Sequence, residues 1–600
     1  MLGKRKAQRG LFEADTQYGD FVGRQTFYGW LASQRGDLFR DEDFAGLYVL
    51  NNGRPGVPPS LLATALVLQT YDGVSDDEAK RRADYDLQWK VALGVELDQR
   101  PFAKSTLQEF RAQLVVHREQ RAIFQSSLEL AKRRGKFRSA TGEARRLKLV
   151  QDTSNILGRG AAKDTYNLLA DGIKLLARVL AQLAGDSLAR WAEREGYTRY
   201  VSASSLKGSA ELDWSDAAQR QRFLGEVVTD ADRLLELTRQ AREPLETDGP
   251  ADRVLVTTAG LLSRVLLQDL ERREDGPALK AGVASDRLVS VHDPEQRHGW
   301  KSKRKRFDGH KVALAVDVES QLITAVAVLP GNASDAQGAL ALVEQTEAAT
   351  GCAVAETIGD CAYGGGATRQ AFADADRRLV AKVPTTTNQG CHPKTAFTID
   401  LDVLSCTCPA GQTTTELKLR ADGGGQFQFA AEVCAACPER VQCVRGVGGR
   451  TVLLHPQEQL LQKARELQAS PTFQEYRTER QTAEHRLARL VQLGLRQARY
   501  MGLAKTLFQA CVAAAVANLT LLASADAATA GSLLCAALLA LAWGCLARAE
   551  RSGASRQGRI WSGQPNRSIR SGLAELALFI RWLLSPTATR LQMATCRPDF

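Results

Sequence analysis

Residues 147–383 constrain this chain most. Apolar β-runs alternate there with helical spacing, and two of the runs end on aspartate. Leu147-Lys148-Leu149-Val150-Gln151-Asp152 reads as a first strand closed by a carboxylate. Residues 311–318 and 322–329 read as a second and third strand, and the short Glu319-Ser320-Gln321 break makes them a hairpin. A helix over about 335–350 leads to a fourth strand at 353–358, which runs into Gly359-Asp360. A helix near 368–376 leads to a fifth strand at 378–383. This order predicts a mixed α/β core rather than a bundle or a sandwich.

Helical patterns surround that core. Residues 57–133 read as all helix, with Ser60 as an N-cap after Pro58-Pro59 and with Ser75-x-x-Glu78 and Ser105-x-x-Gln108 as capping boxes. Short helices followed by a basic linker suit a helix-turn-helix-like DNA module, although periodicity alone equally allows a plain bundle. After the first strand, Leu168, Ile173, Leu176, Leu180 and Leu183 recur at helical spacing, and a polar helical pattern continues to about residue 287. Residues 384–455 are rich in Gly, Thr and Cys, with few large apolar side chains, and read as an inserted β subdomain. A long helix over about 472–497 carries Phe473, Tyr476, Arg480, Glu484, Leu487 and Val491 at helical spacing.

The balance of 79 Lys+Arg against 68 Asp+Glu leaves a formal charge of +11, and the excess is localised. Lys132 to Lys148 holds eight basic residues, among them Arg133, Arg134, Arg145 and Arg146, against the single acid Glu143. Five of the six residues 301–306 are basic, and Arg548, Arg551, Arg556, Arg559, Arg567 and Arg570 follow near the end. Any one such run is ordinary solvated surface; several in one basic chain favour a polyanion partner. A hydrophobic share of 44% with 24% charged residues excludes a disordered or fibrous chain. Met1 to Arg9 is basic and no apolar leader follows, so a cytoplasmic, nucleoid-associated protein is expected rather than a secreted one.

Asp152 and Asp360 close two strands, and Glu484 sits on the late helix. A carboxylate on an apolar helix face costs several kcal/mol unless a cation compensates it. Three convergent acids answer that cost by holding a divalent ion, and hard oxygen ligands select Mg²⁺ or Mn²⁺. Two such ions can clamp the attacking and leaving oxygens of a phosphodiester.

The motifs around these acids resemble those of bacterial insertion-sequence transposases with a ribonuclease-H-like DDE core. They are Asp152-Thr153-Ser154 with Lys163-Asp164-Thr165-Tyr166; Arg306-Phe307-Asp308-Gly309-His310-Lys311; Pro330-Gly331-Asn332-Ala333-Ser334-Asp335; Gly359-Asp360-Cys361-Ala362-Tyr363-Gly364; and Arg480-x3-Glu484. Leu495-Arg496-x2-Arg499-Tyr500-x-Gly502-Leu503-x-Lys505 completes the series, and the resemblance runs from about Asp20 to Leu522. It implies that Asp152, Asp360 and Glu484 are the metal-binding catalytic triad, that double-stranded DNA is the substrate, and that a homodimer acts on paired ends. Related transposases carry a Tyr three residues before the Arg and a Lys seven after the Glu, whereas here Tyr476 lies four before Arg480 and residue 491 is Val. Arg496, Arg499, Tyr500 and Lys505, with Arg480, are the alternative phosphate contacts. The long gap between the first strand and Lys311 leaves Asp164 as an alternative to Asp152.

Half of the 12 cysteines fall within 391–443, which in a reducing compartment points to metal rather than disulfides. Cys408-x25-Cys434-x2-Cys437-x5-Cys443 can complete a tetrahedral structural Zn²⁺ site, with Cys406 able to replace Cys408. Cys391 and His392 lie nearby, whereas Cys352, Cys361, Cys511, Cys535, Cys545 and Cys596 sit in apolar contexts and suit packing.

The expected architecture is a helical DNA-binding domain (1–135) and a catalytic core (145–383 and 456–522) interrupted by a helical insertion (about 165–290) and the Cys-rich insertion (384–455), with an Ala-rich, basic tail (523–600). The 21 uncharged residues 527–547 are long enough to span a bilayer, but their Ala, Gly and Thr content suits a buried helix, so no membrane partner is expected. The expected activity is cut-and-paste DNA transposition. The alternative is a transposase-derived protein that binds DNA without chemistry, and the intact acid set favours the enzyme.

Overall fold

The computed structural model describes residues 1–554 apart from 6–9, 49–53, 203, 303, 386–387 and 389, with side chains described up to residue 529. Residues Met1–Ala525 form one compact unit and Asp526–Phe600 a second.

The chain opens with helices α1 (Ala14–Val22), α2 (Phe27–Leu38), α3 (Pro59–Asp72), α4 (Asp76–Tyr85), α5 (Leu87–Leu93), α6 (Lys104–Val116) and α7 (Ala122–Arg133). The first two lie ahead of the predicted helical region. Ser60 is inside α3, which starts one residue earlier behind Pro58. Ser75 caps α4 by accepting from Glu78 N–H at 3.2 Å. Asp86 then opens a new helix by accepting from the Gln88 and Trp89 amides, which is why the predicted single helix through Trp89 is two. No side chain caps α6, so Ser105 is not its N-cap.

Among the described residues, six strands make the main sheet: β1 (Leu147–Leu157), β2 (Arg297–Ser302), β3 (Lys305–Asp317), β4 (Ile323–Pro330), β5 (Val354–Ile358) and β6 (Leu379–Val380). Their order is β2–β3–β1–β5–β6, with β4 also paired to β3. β3 runs antiparallel to β1, β2 and β4, whereas β1, β5 and β6 are mutually parallel neighbours. β3 is a continuous apolar run because Val312 to Val316 are all buried, the pattern of a strand covered on both faces. β1 does not stop at Asp152 but pairs with β3 as far as Leu157 opposite Gly309. β2 was not legible: its residues, Arg-His-Gly-Trp-Lys-Ser, fall partly in the basic run and carry no apolar alternation.

Between β1 and β2 come α8 (Thr165–Leu183), α9 (Ala217–Arg242) and α10 (Pro250–Asp269), which build a core of their own from Leu168, Ile173, Leu176, Leu180, Val227, Leu234, Leu255 and Leu262. Leu183, predicted on that apolar face, is exposed. The sheet is followed by α11 (Ala339–Thr350) before β5, α12 (Gly366–Asp374) before β6, and then α13 (Glu458–Ala469), α14 (Phe473–Glu479), α15 (Gln481–Leu490) and α16 (Leu503–Ala554). The predicted 472–497 helix is therefore segmented, and it ends where Gly494 adopts a left-handed φ of +89°.

The N-terminal helices and the sheet share one apolar core that also takes in Ala513 to Ala517 of α16. Arg121 of the α7 N-terminus donates to the Val326 carbonyl at 2.7 Å, and Asn518 of α16 bonds both ways with the Ile323 backbone. The segment Leu503–Thr529 is long and apolar enough to cross a membrane by composition, but most of it is buried inside the protein. The uncharged run 527–547 continues on α16, and its side chains from residue 530 lie outside the described residues, as do those of the C-terminal arginines.

Residues 384–455 hold two small antiparallel sheets, one of Thr398–Asp400, Ser405–Thr407 and Thr413–Thr414, the other of Leu417–Leu419, Gly425–Gln428 and Thr451–Leu454. Its few large apolar side chains nevertheless make a core: Phe397, Ile399, Phe427, Phe429, Val452 and Leu454 are buried together. Its strands are too short for the alternation to register in the sequence.

Candidate active site

Parallel pairing of β1 with β5 sets Val150 opposite Ile358, so the carboxyl ends of both strands face the same way. Asp152 lies two residues past this pair on β1, and Asp360 lies two residues past it after β5. Ligand sites of parallel sheets form at this edge. Asp360 opens a short 3-10 turn, Cys361–Gly364, and accepts from the Ala362 amide at 2.8 Å. Asp152 accepts from the Thr153 amide at 2.8 Å. Gly359 is required here, since a Cβ on it would lie 2.6 Å from the Tyr363 ring. That ring is buried beneath the two aspartates, and burial first, then the charges of Asp152, Asp360 and Asp335, pushes its hydroxyl well above the usual tyrosine range.

Helix α15 packs on β1 and β3 through Ala483, Leu487 and Leu490. Glu484 sits at the border of that face, 48% exposed and paired with Arg480 at 2.5 Å, rather than buried among apolar side chains as its spacing suggested. Asp360 and Glu484 line one open cleft of about 350 Å³ with Lys382, Phe473, Tyr476, Arg477 and Arg480. Burial pushes the Asp152 carboxyl up to about 6, and the negative charges of Asp360 and Glu484 add to the rise. Asp152 therefore feels the charge of the other two acids. Asp164 does different work: it caps α8 by accepting from the Tyr166 and Asn167 amides at 3.1 and 3.2 Å.

Further ion pairs hold these elements in place. Lys311 binds Asp335 at 2.7 Å, joining two of the sequence motifs. Lys148, counted in the basic run, is on β1 and pairs with Glu479 of α14 at 2.9 Å, its ammonium 5.1 Å from the Tyr476 ring centre. Tyr476 donates to Glu356 of β5 at 3.0 Å. Tyr476→Phe should cost about 1 kcal/mol of stability, the net worth of one hydrogen bond, and more if Glu356 is left short of a donor. Denaturant unfolding of the two proteins measures it.

The predicted DNA contacts divide into two groups. Arg133 donates to the Asp37 carbonyl, Arg134 lies 5.1 Å over the Trp30 ring, and Arg145 is nearly buried between Asp317, at 2.7 Å, and Glu319. Arg499 pairs with Asp76 at 3.0 Å, and Asp76 also takes Arg111 at 2.7 Å. Tyr500 is half-buried, with Arg111 5.4 Å over its ring. These side chains tie the protein together. Arg146, Arg496 and Lys505 are exposed. The sequence reading missed Lys382 and Arg477; the second was legible, since it precedes Arg480 by three and Glu484 by seven, on one helix face. A second cavity, of about 280 Å³, is lined by Arg111, Arg159, Arg499 and Tyr500.

Cys408, Cys434, Cys437 and Cys443 line one small cavity. Cys406 is fully buried in the apolar cluster that also holds Cys434 and Cys443, and burial pushes its thiol up to about 11. Among the described residues, neither the acids nor the cysteines are drawn together as a preformed metal cage.

The sheet thus carries two acids at adjacent strand ends and a third on a packed helix, and two family comparisons bear on the chain that holds them. Residues 407–523 match a model described as a Transposase DDE domain, and residues 31–113 match one described as a Transposase domain (DUF772). Both stretches name transposases, so the chain is similar to DDE-type insertion-sequence transposases at two separate places. The first match contains Glu484 and the four cysteines; Asp152 and Asp360 lie outside both matches. No curated protein and no solved structure matches the chain.

Proposed function

We propose that this chain is a DDE transposase that cleaves DNA at the ends of a bacterial insertion sequence and joins those ends to target DNA. The observation that supports the reading is that Asp360 and Glu484 line one basic cleft, while Asp152, at the neighbouring strand end, feels the charge of both. The strand order, with β4–β3–β1 antiparallel and the parallel β5 and β6 following beyond β1, supports a ribonuclease-H-like core. The acids suit a divalent cation, because burial, with the charges of Asp360 and Glu484 added to it, disfavours the Asp152 carboxylate, and a bound ion relieves that cost. Asp152, Asp360 and Glu484 would hold Mg²⁺ or Mn²⁺, which when bound supplies positive charge to the attacking and leaving oxygens of the phosphodiester. The Thr153 and Ala362 amides orient two of the carboxylates toward that task. Lys382, Arg477 and Arg480 offset the charge of the phosphate entering the cleft. The substrate is double-stranded DNA, and a homodimer would pair two ends.

Incubation of the purified protein with duplexes carrying its element's end and Mg²⁺ tests the reading. Nicking at the element boundary is expected; intact DNA at all metal concentrations would overturn it. The exposed cations Arg146, Arg159, Arg496 and Lys505 are the better candidates for backbone contact than the paired arginines. Neutralising them together should lower the log–log salt slope of DNA binding by roughly 0.9 for each phosphate no longer neutralised. An unchanged slope would assign them to solvated surface.

A further inference from the structure

The catalytic reading leaves residues 384–455 without a role, and their cysteines are the part it least explains. The four thiols that line the small cavity come from four local structures. Cys408 follows the strand Ser405–Thr407, Cys434 lies in the short helix Ala431–Ala435, Cys437 in the turn after it, and Cys443 ends the helix Arg440–Cys443. None is in a disulfide.

Thiols pack well as small hydrophobes, so their convergence alone decides little. Two observations point beyond packing. The Gln412 amide donates to the Cys408 sulfur at 3.3 Å, and the Arg450 amide donates to the Cys434 sulfur at 3.4 Å. Backbone amides directed at sulfur are the hydrogen-bond donors that surround a metal-bound thiolate. The second observation concerns what the loops lack. The 430–450 segment carries Val441 and Val447 at 89% and 96% exposure, and its contribution to the apolar core is Cys434 and Cys443 with the part-buried Val444.

We infer that Cys408, Cys434, Cys437 and Cys443 bind one structural Zn²⁺ through four thiolates. Soft sulfur ligands in a tetrahedral set select zinc over the hard cations suited to the acidic cleft. Four protein ligands leave no open position for water, so the site orders the segment and does no hydrolysis. Cys434 and Cys443 reach the cavity from the same apolar cluster as Cys406, but Cys406 does not line it and is excluded as a ligand. His392 is engaged by Glu439 at 3.0 Å.

The ordering reaches the catalytic helix. Lys394 pairs with Glu458 at the start of α13, Arg465 of α13 pairs with the same carboxylate at 2.9 Å, and Gln462 donates to the Ile399 carbonyl at 2.8 Å. α13 leads through α14 into α15 and Glu484. Loss of the metal should therefore loosen the support of the third acid.

Metal analysis of the purified full chain, with cobalt substitution, tests the inference without reference to DNA. About one zinc per chain is expected, and cobalt exchanged into the protein should give the intense visible bands of a tetrahedral thiolate complex. The Cys434→Ser/Cys437→Ser protein should lose both signals and Cys406→Ser should keep both. Less than half an equivalent of zinc, or an octahedral cobalt spectrum in the unaltered chain, would overturn the site whether or not the variants fold. So would zinc retained by the double variant. Because these readouts involve no cleavage, failure of the zinc site and failure of the transposase reading are separable.

Discussion

Asp360→Asn should leave the protein folded and bound to its DNA ends while cleavage falls by at least about 10³-fold. The side chain keeps its volume and its carbonyl oxygen can still accept from the Ala362 amide, so the turn at Cys361–Gly364 should survive. What disappears is a negative charge facing the cleft, and with it one anchor for a divalent ion. Metal ions contribute several kcal/mol to stabilising the reacting oxygens, and each 1.36 kcal/mol is a factor of ten in rate. Asp152→Asn and Glu484→Gln should behave alike, since the three acids act as a unit and each removal disables the same site. A mobility-shift assay beside a cleavage assay separates binding from chemistry. Near-wild-type cleavage by Glu484→Gln would remove α15 from the site.

The second large effect concerns pH. The folded Asp152 carboxyl is raised from its ordinary 3.8 to about 6, chiefly by burial. Its protonated form therefore contributes stability that is fully present below about pH 4 and lost as pH rises through 6. A rise of that size corresponds to about 3 kcal/mol, an order-of-magnitude figure. Metal-free wild type should thus fall in stability between pH 4 and pH 7 by an amount that Asp152→Asn lacks, and the variant should be the more stable protein at neutral pH. Adding Mg²⁺ should reverse the ranking, since an ion bound only to the folded state stabilises it by mass action. Thermal melts of both proteins across this range, with chelator and with Mg²⁺, check the sign. Parallel pH curves would show that Asp152 does not carry the strain.

How much of this was legible in the sequence depended on where the signal was local. The hairpin of β3 and β4 and the placement of Asp360 after β5 were legible, because apolar runs and turn residues state them within a few positions. The length of β1 was not: past Asp152 its residues are Thr, Ser and Asn, and only pairing with β3 keeps them extended. The role of Arg145 was also hidden. It sits in a basic run, but its partners Asp317 and Glu319 come from a strand and turn far along the chain. Glu484 was found from its motif, while its half-exposed position came from helix packing that periodicity only approximates. The six cysteines between 391 and 443 were visible as a cluster, but spacing left Cys406 and Cys408 equivalent, and only burial separates them.

The register of β1 has a consequence for how the molecule comes into being. Asn155 pairs with Lys311 and Val150 with Ile358, so the central strand must wait for partners made much later. The helices through α7 have left the ribosome long before, at synthesis rates of roughly 5–20 residues per second. Glu484 emerges later still. Long-range pairings of this kind slow folding. A nascent or truncated chain can thus present its N-terminal helices before Asp152, Asp360 and Glu484 can come together, and whatever site they form assembles only after Glu484 has been made.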